Sequence, residues 1–293
     1  MNDEGESTSS VELSFAERVA KPVVYRLPGM DRVRVISNLK YSEVDNPYLL
    51  MDVYIPPDLD AYERRPIVVL IHGGAGPEHK PKDWGIFQSW GRLFAAAGII
   101  AVTFTHRFSP PPQSLLAEAV TDLGSAIDYV RANSESFHAD RDRIGLCAWS
   151  AGGTLLTSLL GNGPEFIRCV VALYALLDLK QYAPPEDTLT LQFLKGFSPI
   201  DSLPENASSM LPMLIARAGR DDILMLNEAL ARFTAKALAA NAPITVINHP
   251  SGLHGFDNQN DDERSREIVR SVIEFMVTHL RLEPRPRCAG SSD

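Results

Sequence analysis

Apolar, β-rich runs recur along this chain with longer helical patterns between them, and that alternation restricts the fold more than any other feature. The runs are Val33 to Tyr41, Leu49 to Ile55, Ile67 to Ile71, Ile99 to Thr105, Arg143 to Trp149, Ile167 to Tyr174, Met213 to Ala218 and Ile244 to Asn248. Between Ser114 and Asn133, Leu116, Val120, Leu123, Ile127 and Val130 fall at spacings of three and four, which gives a helix one apolar face. Further helical patterns cover Phe87 to Ala97, Gly152 to Leu160, Leu224 to Ala240 and Glu263 to Leu280. Strands separated by helices predict an α/β domain with a mostly parallel central sheet flanked by helices. The expected organisation is an N-terminal extension over 1–24 that is partly disordered or caps the domain, a main domain over 25–283, and a flexible tail over 284–293. The proline-rich stretch of about 176–210 is too long for an ordinary loop and reads as an insert or lid.

The composition narrows the function classes. A formal net charge of -9 lacks the excess of lysine and arginine that a grip on phosphate backbones requires, so nucleic acid is not an expected partner. No apolar run is long enough to cross a bilayer, so no membrane association is expected. The acidic, polar start MNDEGESTSS is unlike a secretory signal, and a cytoplasmic protein is the expectation. Cys147, Cys169 and Cys288 are odd in number and lack metal-ligand spacing, so neither a disulfide framework nor a metal site is expected. Cys147 and Cys169 lie in apolar runs and are expected to be buried packing residues. The expected partner is a small molecule, and nothing in the sequence speaks against a homodimer.

Chemistry is concentrated in loops that follow strands. Ala148-Trp149-Ser150-Ala151-Gly152-Gly153 stands between a strand and a helical pattern. A serine on a sharp strand-to-helix turn needs small residues two before and two after it, here Ala148 and Gly152. Upstream, His72-Gly73-Gly74-Ala75-Gly76 directly follows a buried strand. Glycines let backbone N–H groups approach a developing oxyanion, so Gly74, Ala75 and Ala151 are the expected donors. His72 is expected to anchor that loop and take no part in chemistry.

A serine nucleophile needs a base oriented by an acid. His254, in the Ser251-Gly252-Leu253-His254-Gly255-Phe256 loop after the last strand, is the best sited of seven histidines, while His249 still belongs to the strand end. The preceding strand leads into Ala218-Gly219-Arg220-Asp221-Asp222-Ile223-Leu224, which offers two carboxylates. Asp222 is the expected acid, on the reasoning that Ile223 and Leu224 pack under the site and turn the loop back. Asp221 is then left as the N-cap of the next helix. The order Ser150, Asp222, His254 separates this arrangement from those of chymotrypsin and subtilisin.

With these motifs the chain resembles the α/β-hydrolase superfamily, and within it the acetyl-esterase and hormone-sensitive-lipase-like carboxylesterases. The resemblance spans roughly Val33 to Leu280. Thr105-His106-Arg107-Phe108-Ser109-Pro110 is similar to a Tyr-Arg-Leu-Ala-Pro segment of that group, Asp140-Arg141-Asp142-Arg143-Ile144 to an Asp-x-x-Arg-Ile segment, and Phe197-Ser198-Pro199-Ile200 to a Ser-Pro segment. The chain departs from the group at Ala148 in place of glycine, at His106 in place of tyrosine, and at Ala75 in place of a third glycine. The resemblance implies the α/β-hydrolase fold and cleavage of carboxylic esters with short to medium acyl chains, through an acyl-enzyme and without metal or organic cofactor. Two alternatives use the same residues or the same fold: an amidase, formamidase or small peptidase, and a non-catalytic binding protein. Leu191, Phe193, Leu194 and Phe197 in the insert, and Val11 to Val24 at the start, are the candidates to cover the site.

Overall fold

The computed structural model describes residues 14–60, 62–109, 115–161 and 163–281. Its strands are β1 (Arg34–Lys40), β2 (Leu50–Ile55), β3 (Arg65–Ile71), β4 (Ile100–Phe104), β5 (Ala139–Trp149), β6 (Ile167–Leu173), β7 (Met213–Ala218) and β8 (Ile244–His249). They form one sheet in the order β1-β2-β4-β3-β5-β6-β7-β8. β1 pairs antiparallel with β2, and β2 antiparallel with β4, while β4, β3, β5, β6, β7 and β8 run parallel. All eight apolar runs therefore become strands of one sheet.

The central strands are buried on both faces, which is why β3 and β6 read as continuous apolar runs. Alternate side chains feed two cores. Ile67, Val69 and Ile71 point into one, and Val68 and Leu70 into the other. Helices α3 (Leu116–Ala132) and α6 (Leu226–Ala239) cover the first face with Leu123, Ile127, Val130, Leu230 and Phe233. Helices α2 (Gly85–Ala96) and α8 (Glu263–His279) cover the second with Trp90, Phe94, Ile268, Val272 and Met276. Each fully buried aliphatic side chain contributes roughly 1.5–3 kcal/mol. Cys147 and Cys169 are buried free thiols of the second core, as expected, and Cys288 lies outside the described residues.

Three segments add detail that the sequence expectation lacked. After β5 the chain runs as a 3-10 helix over Ser150–Leu156 and becomes α-helical only at α4 (Thr157–Leu160). Gly152 and Gly153 explain the delay, because glycine is a poor α-helix former and a tightened turn suits short segments. The insert contains α5 (Thr188–Lys195), whose N-cap Asp187 accepts a hydrogen bond from Thr190 N at 2.9 Å. Near the start lies α1 (Phe15–Ala20), fixed by a capping box in which Ser14 and Glu17 satisfy each other's backbone N–H groups. Residues 1–13 of the expected extension over 1–24, and the expected tail over 284–293, lie outside the described residues.

Candidate active site

Ser150 sits where β5 ends, at φ +52°, a left-handed conformation that costs a non-glycine residue roughly 1–2 kcal/mol. The turn closes because its neighbours lack side chains. A Cβ on Gly152 would lie 2.5 Å from the His72 carbonyl oxygen, and one on Gly73 would lie 2.9 Å from the Ser150 Cβ. The β3 loop is thus pressed directly against the serine. Ala148, fully buried, pairs with Ile71 on one side and Ala172 on the other, so its extra methyl group is absorbed inside the sheet.

Gly74 approaches the residue after the serine, since a Cβ on it would stand 3.5 Å from that of Ala151. Its N–H donates to no acceptor among the described residues. Ala151 lies in the first turn of the 3-10 helix, where N–H groups have no partner within the helix. Two of the three expected donors are therefore brought together. Ala75 is a correction: its N–H donates to the Gly73 carbonyl at 2.9 Å, in a tight turn that takes up the donor. Gly73 and Gly74 line the cavity that Ser150 faces, and Ala75 does not.

His72 anchors this loop, as expected. Its Nε2 accepts from the His106 backbone N–H at 3.1 Å, so the other ring nitrogen carries the proton and donates to the Gly73 carbonyl at 2.8 Å. The His106 ring stacks on it at 3.6 Å between centroids. This accounts for His106 where tyrosine is usual: a second flat ring ties the end of β4 to the end of β3. Both imidazoles are held below their ordinary range by burial, His72 well below it, with the neighbouring His106 adding to the effect. The following Arg107 makes a two-pronged ion pair with buried Asp122 of α3, with Nε and one terminal nitrogen 2.9 and 2.8 Å from the two oxygens.

His254 lies in the loop between β8 and the short helix α7 (Phe256–Gln259). Its Nδ1 donates to Asp221 Oδ2 at 2.8 Å, and the Asp221 side chain has no exposed surface. The expectation for Asp222 is overturned here. The pairing of β7 with β8 continues past the strand ends, with Gly219 N donating to the His249 carbonyl and Arg220 N to the Gly252 carbonyl, each at 2.8 Å. Asp221 is thus the first residue to leave the sheet, and it leaves beside the His254 loop. Its second oxygen accepts from Ile223 N at 3.0 Å, which fixes the carboxylate further, so it does not serve as a helix cap. Asp222 is exposed at the cavity rim, and Ile223 and Leu224, expected to pack beneath the site, are 40% and 78% exposed. No hydrogen bond joins Ser150 Oγ to His254, but both line one cavity of about 550 Å³.

A family model described as BD-FAE matches residues 51–185. Esterase 2 of Thermogutta terrifontis superposes with a TM-score of 0.67 at 22% identity, over 90% of this chain and 98% of that one. The chain has the α/β-hydrolase fold. Among curated proteins, the chain is 25% identical over 264 residues to esterase LipC of Mycobacterium tuberculosis, covering 79% of this chain and 62% of that protein. It is 32% identical over 243 residues to a probable isoprenylcysteine alpha-carbonyl methylesterase, ICMEL2 of Arabidopsis thaliana, covering 71% of this chain and 55% of that protein. The chain thus spans less than two thirds of the length of these curated relatives. No helix among the described residues is long and apolar enough to cross a membrane.

The rest of the cavity comes from the insert, α1 and an aromatic wall. The insert contributes Leu176, Leu179 and Tyr182, from its first seven residues. Leu191, Phe193, Leu194 and Phe197 do not line the cavity; Leu194 instead packs in a small core with Leu116, Leu176 and Leu179. From the N-terminal side, α1 supplies Phe15, Arg18 and Val19. α1 is bound to the base side of the site, because Asn258 Nδ2 and Gln259 Nε2 of α7 both donate to the Arg18 carbonyl, at 2.8 and 3.0 Å. Phe15 packs edge-on against Trp84, which stacks with Phe87. The aromatic wall of Trp84, Phe87 and Phe108 had no signal in the sequence, because an aromatic residue near a helix start or after a strand is an ordinary packing residue until the fold brings such residues to one surface.

Proposed function

We propose that this protein hydrolyses carboxylic esters with short to medium acyl chains through an acyl-enzyme on Ser150. One observation carries the reading: a serine held at positive φ faces the same cavity as a histidine whose Nδ1 is fixed at 2.8 Å by a buried carboxylate. Ser150 Oγ attacks the ester carbonyl as its proton passes to His254 Nε2, and Asp221 steadies the imidazolium that results. The oxyanion is met by the Gly74 and Ala151 N–H groups. The alcohol leaves with the proton from His254; water, deprotonated by the same nitrogen, then attacks the acyl carbon, and the acid departs as His254 returns that proton to Ser150 Oγ. These steps draw on neither metal nor organic cofactor. Relatives and structural neighbours named as esterases support the reading, including Thermogutta terrifontis esterase 2 phosphorylated by paraoxon. The buried thiols of Cys147 and Cys169 support a reducing, cytoplasmic setting as the proposed location.

The test is covalent labelling. Paraoxon is expected to phosphorylate Ser150 and abolish hydrolysis of a p-nitrophenyl ester, and Ser150→Ala is expected to be folded, inert and unlabelled. Labelling of another serine, or ester turnover by Ser150→Ala, would overturn the proposal.

A further inference from the structure

Behind the base lies a carboxylate that the mechanism above does not use. Asp257, three residues after His254, is fully buried and has no salt-bridge partner among the described residues. Its oxygens are met by three neutral donors. Trp90 Nε1 and Trp149 Nε1 donate to Oδ2 at 2.8 and 3.0 Å, and the Tyr174 hydroxyl donates to Oδ1 at 2.7 Å. A buried carboxylate costs several kcal/mol to desolvate unless it is bonded in this way, and apolar residues would fill the same space more cheaply. Its retention calls for a use.

The three donors come from different parts of the site. Trp149 is the residue immediately before Ser150 and the last of β5. Tyr174 directly follows β6 and has φ +37°, unusual for an aromatic residue. Its ring packs against His254, with centroids 4.6 Å apart and planes at 62°. Trp90 belongs to α2 and meets Trp149 edge-on at 5.5 Å. Asp257 is the second residue of α7, the helix that follows the base loop, and its backbone carbonyl accepts from Val24 N at 2.8 Å. One side chain therefore ties the strand end that carries the nucleophile to the ring that packs on the base.

We propose that Asp257 is a second positioning residue of the site, which holds Trp149 and Tyr174 so that Ser150 and His254 keep their mutual geometry. Asp221 fixes the His254 ring through Nδ1, and the Asp257–Tyr174 pair fixes it from the ring side. This role rests on the serine-hydrolase reading. It depends on the hydrogen bonds and not on the charge, and that distinction makes it testable. Asparagine at this position can accept both indole N–H groups with its oxygen and donate to the Tyr174 oxygen with its nitrogen, whereas leucine has nearly the same shape and can do neither.

The experiment measures kcat and KM for a p-nitrophenyl ester in the full chain, with competent sites counted by paraoxon titration. Counting sites removes any loss that is merely unfolded protein. Asp257→Leu and Tyr174→Phe are expected to lower kcat per titrated site by about 10-fold to 100-fold with little change in KM, the size of effect that small misplacements produce. Asp257→Asn is expected to stay near wild type. Tyr174→Phe keeps the ring on His254 and removes one oxygen, so it reads out the tie even if Asp257→Leu does not fold. An unchanged kcat per site in Tyr174→Phe, or an Asp257→Asn variant as slow as the leucine or phenylalanine one, would overturn the positioning role alone. A wild type that paraoxon does not titrate at Ser150 would instead remove the hydrolase reading and this role with it.

Discussion

Asp221 and Asp222 carry the same charge one residue apart, and the fold gives one of them the base and the other the solvent. Asp221→Asn is expected to cut kcat by roughly 10³ to 10⁴ because it loses the acceptor that orients His254 and the charge that stabilises its cation. Asp222→Asn is expected to leave kcat nearly intact. Equal losses in the two variants, measured with one ester, would contradict the assignment. The stacked pair His72 and His106 makes a second prediction, about pH. Both are held below their ordinary range by burial, so the native protein refuses protons that the unfolded chain accepts at about 6.5. The unfolded state then binds more protons, and stability is full above that pH and falls as pH drops through it, until the depressed native values are reached. Melting temperature followed from pH 8 to pH 5 is expected to fall, and His106→Phe, which removes one of the two groups, is expected to make the fall shallower. A slope unaltered by that substitution would show that other groups dominate.

Among the elements, α1 is the one whose sequence gives least away and whose position matters most. Six residues with none fully buried would be marginal as an isolated helix, and here the capping box and the ties from Asn258 and Gln259 hold it at the cavity wall. Removing those ties should loosen the wall without touching the chemistry. The double variant Asn258→Ala, Gln259→Ala is expected to accept longer acyl chains than wild type while its Ser150 still reacts with paraoxon. Each lost bond should cost about 1 kcal/mol of stability. An unchanged chain-length limit would mean that α1 does not bound the acyl site. The insert behaves differently: its first residues line the cavity, and α5 lies away from it with Leu189 80% exposed and Phe193 41% exposed.

At the scale of the molecule, the sheet brings the ends of β3, β5, β7 and β8 to one edge and lets α1 and the start of the insert close over them. The cavity so formed is about 550 Å³ and mostly apolar in its lining residues, a size suited to a small ligand. Across p-nitrophenyl esters of graded length, kcat/KM is expected to peak at short to medium acyl chains and decline for long ones, with matched amides far slower. A rate that keeps rising with chain length would contradict the size limit. Preference for the amides would favour the amidase alternative over the esterase.

The strands, their order along the chain and the serine and histidine of the site were legible because they follow from local rules. Buried parallel strands must be continuous apolar runs, and a serine on a tight turn must have small neighbours such as Ala148 and Gly152. The same rules singled out Gly74 and Ala151, whose backbones come together beside the serine. They did not place Ala75, whose N–H is taken by a turn inside its own loop, nor choose between Asp221 and Asp222. That choice depends on how far β7 and β8 remain paired beyond their ends, and pairing between segments about thirty residues apart is settled only when the sheet assembles. The role of Asp257 is of the same kind: an aspartate after His-Gly-Phe is unremarkable in the sequence, and only the packing of α2, β5 and β6 around it supplies two indoles and a phenol.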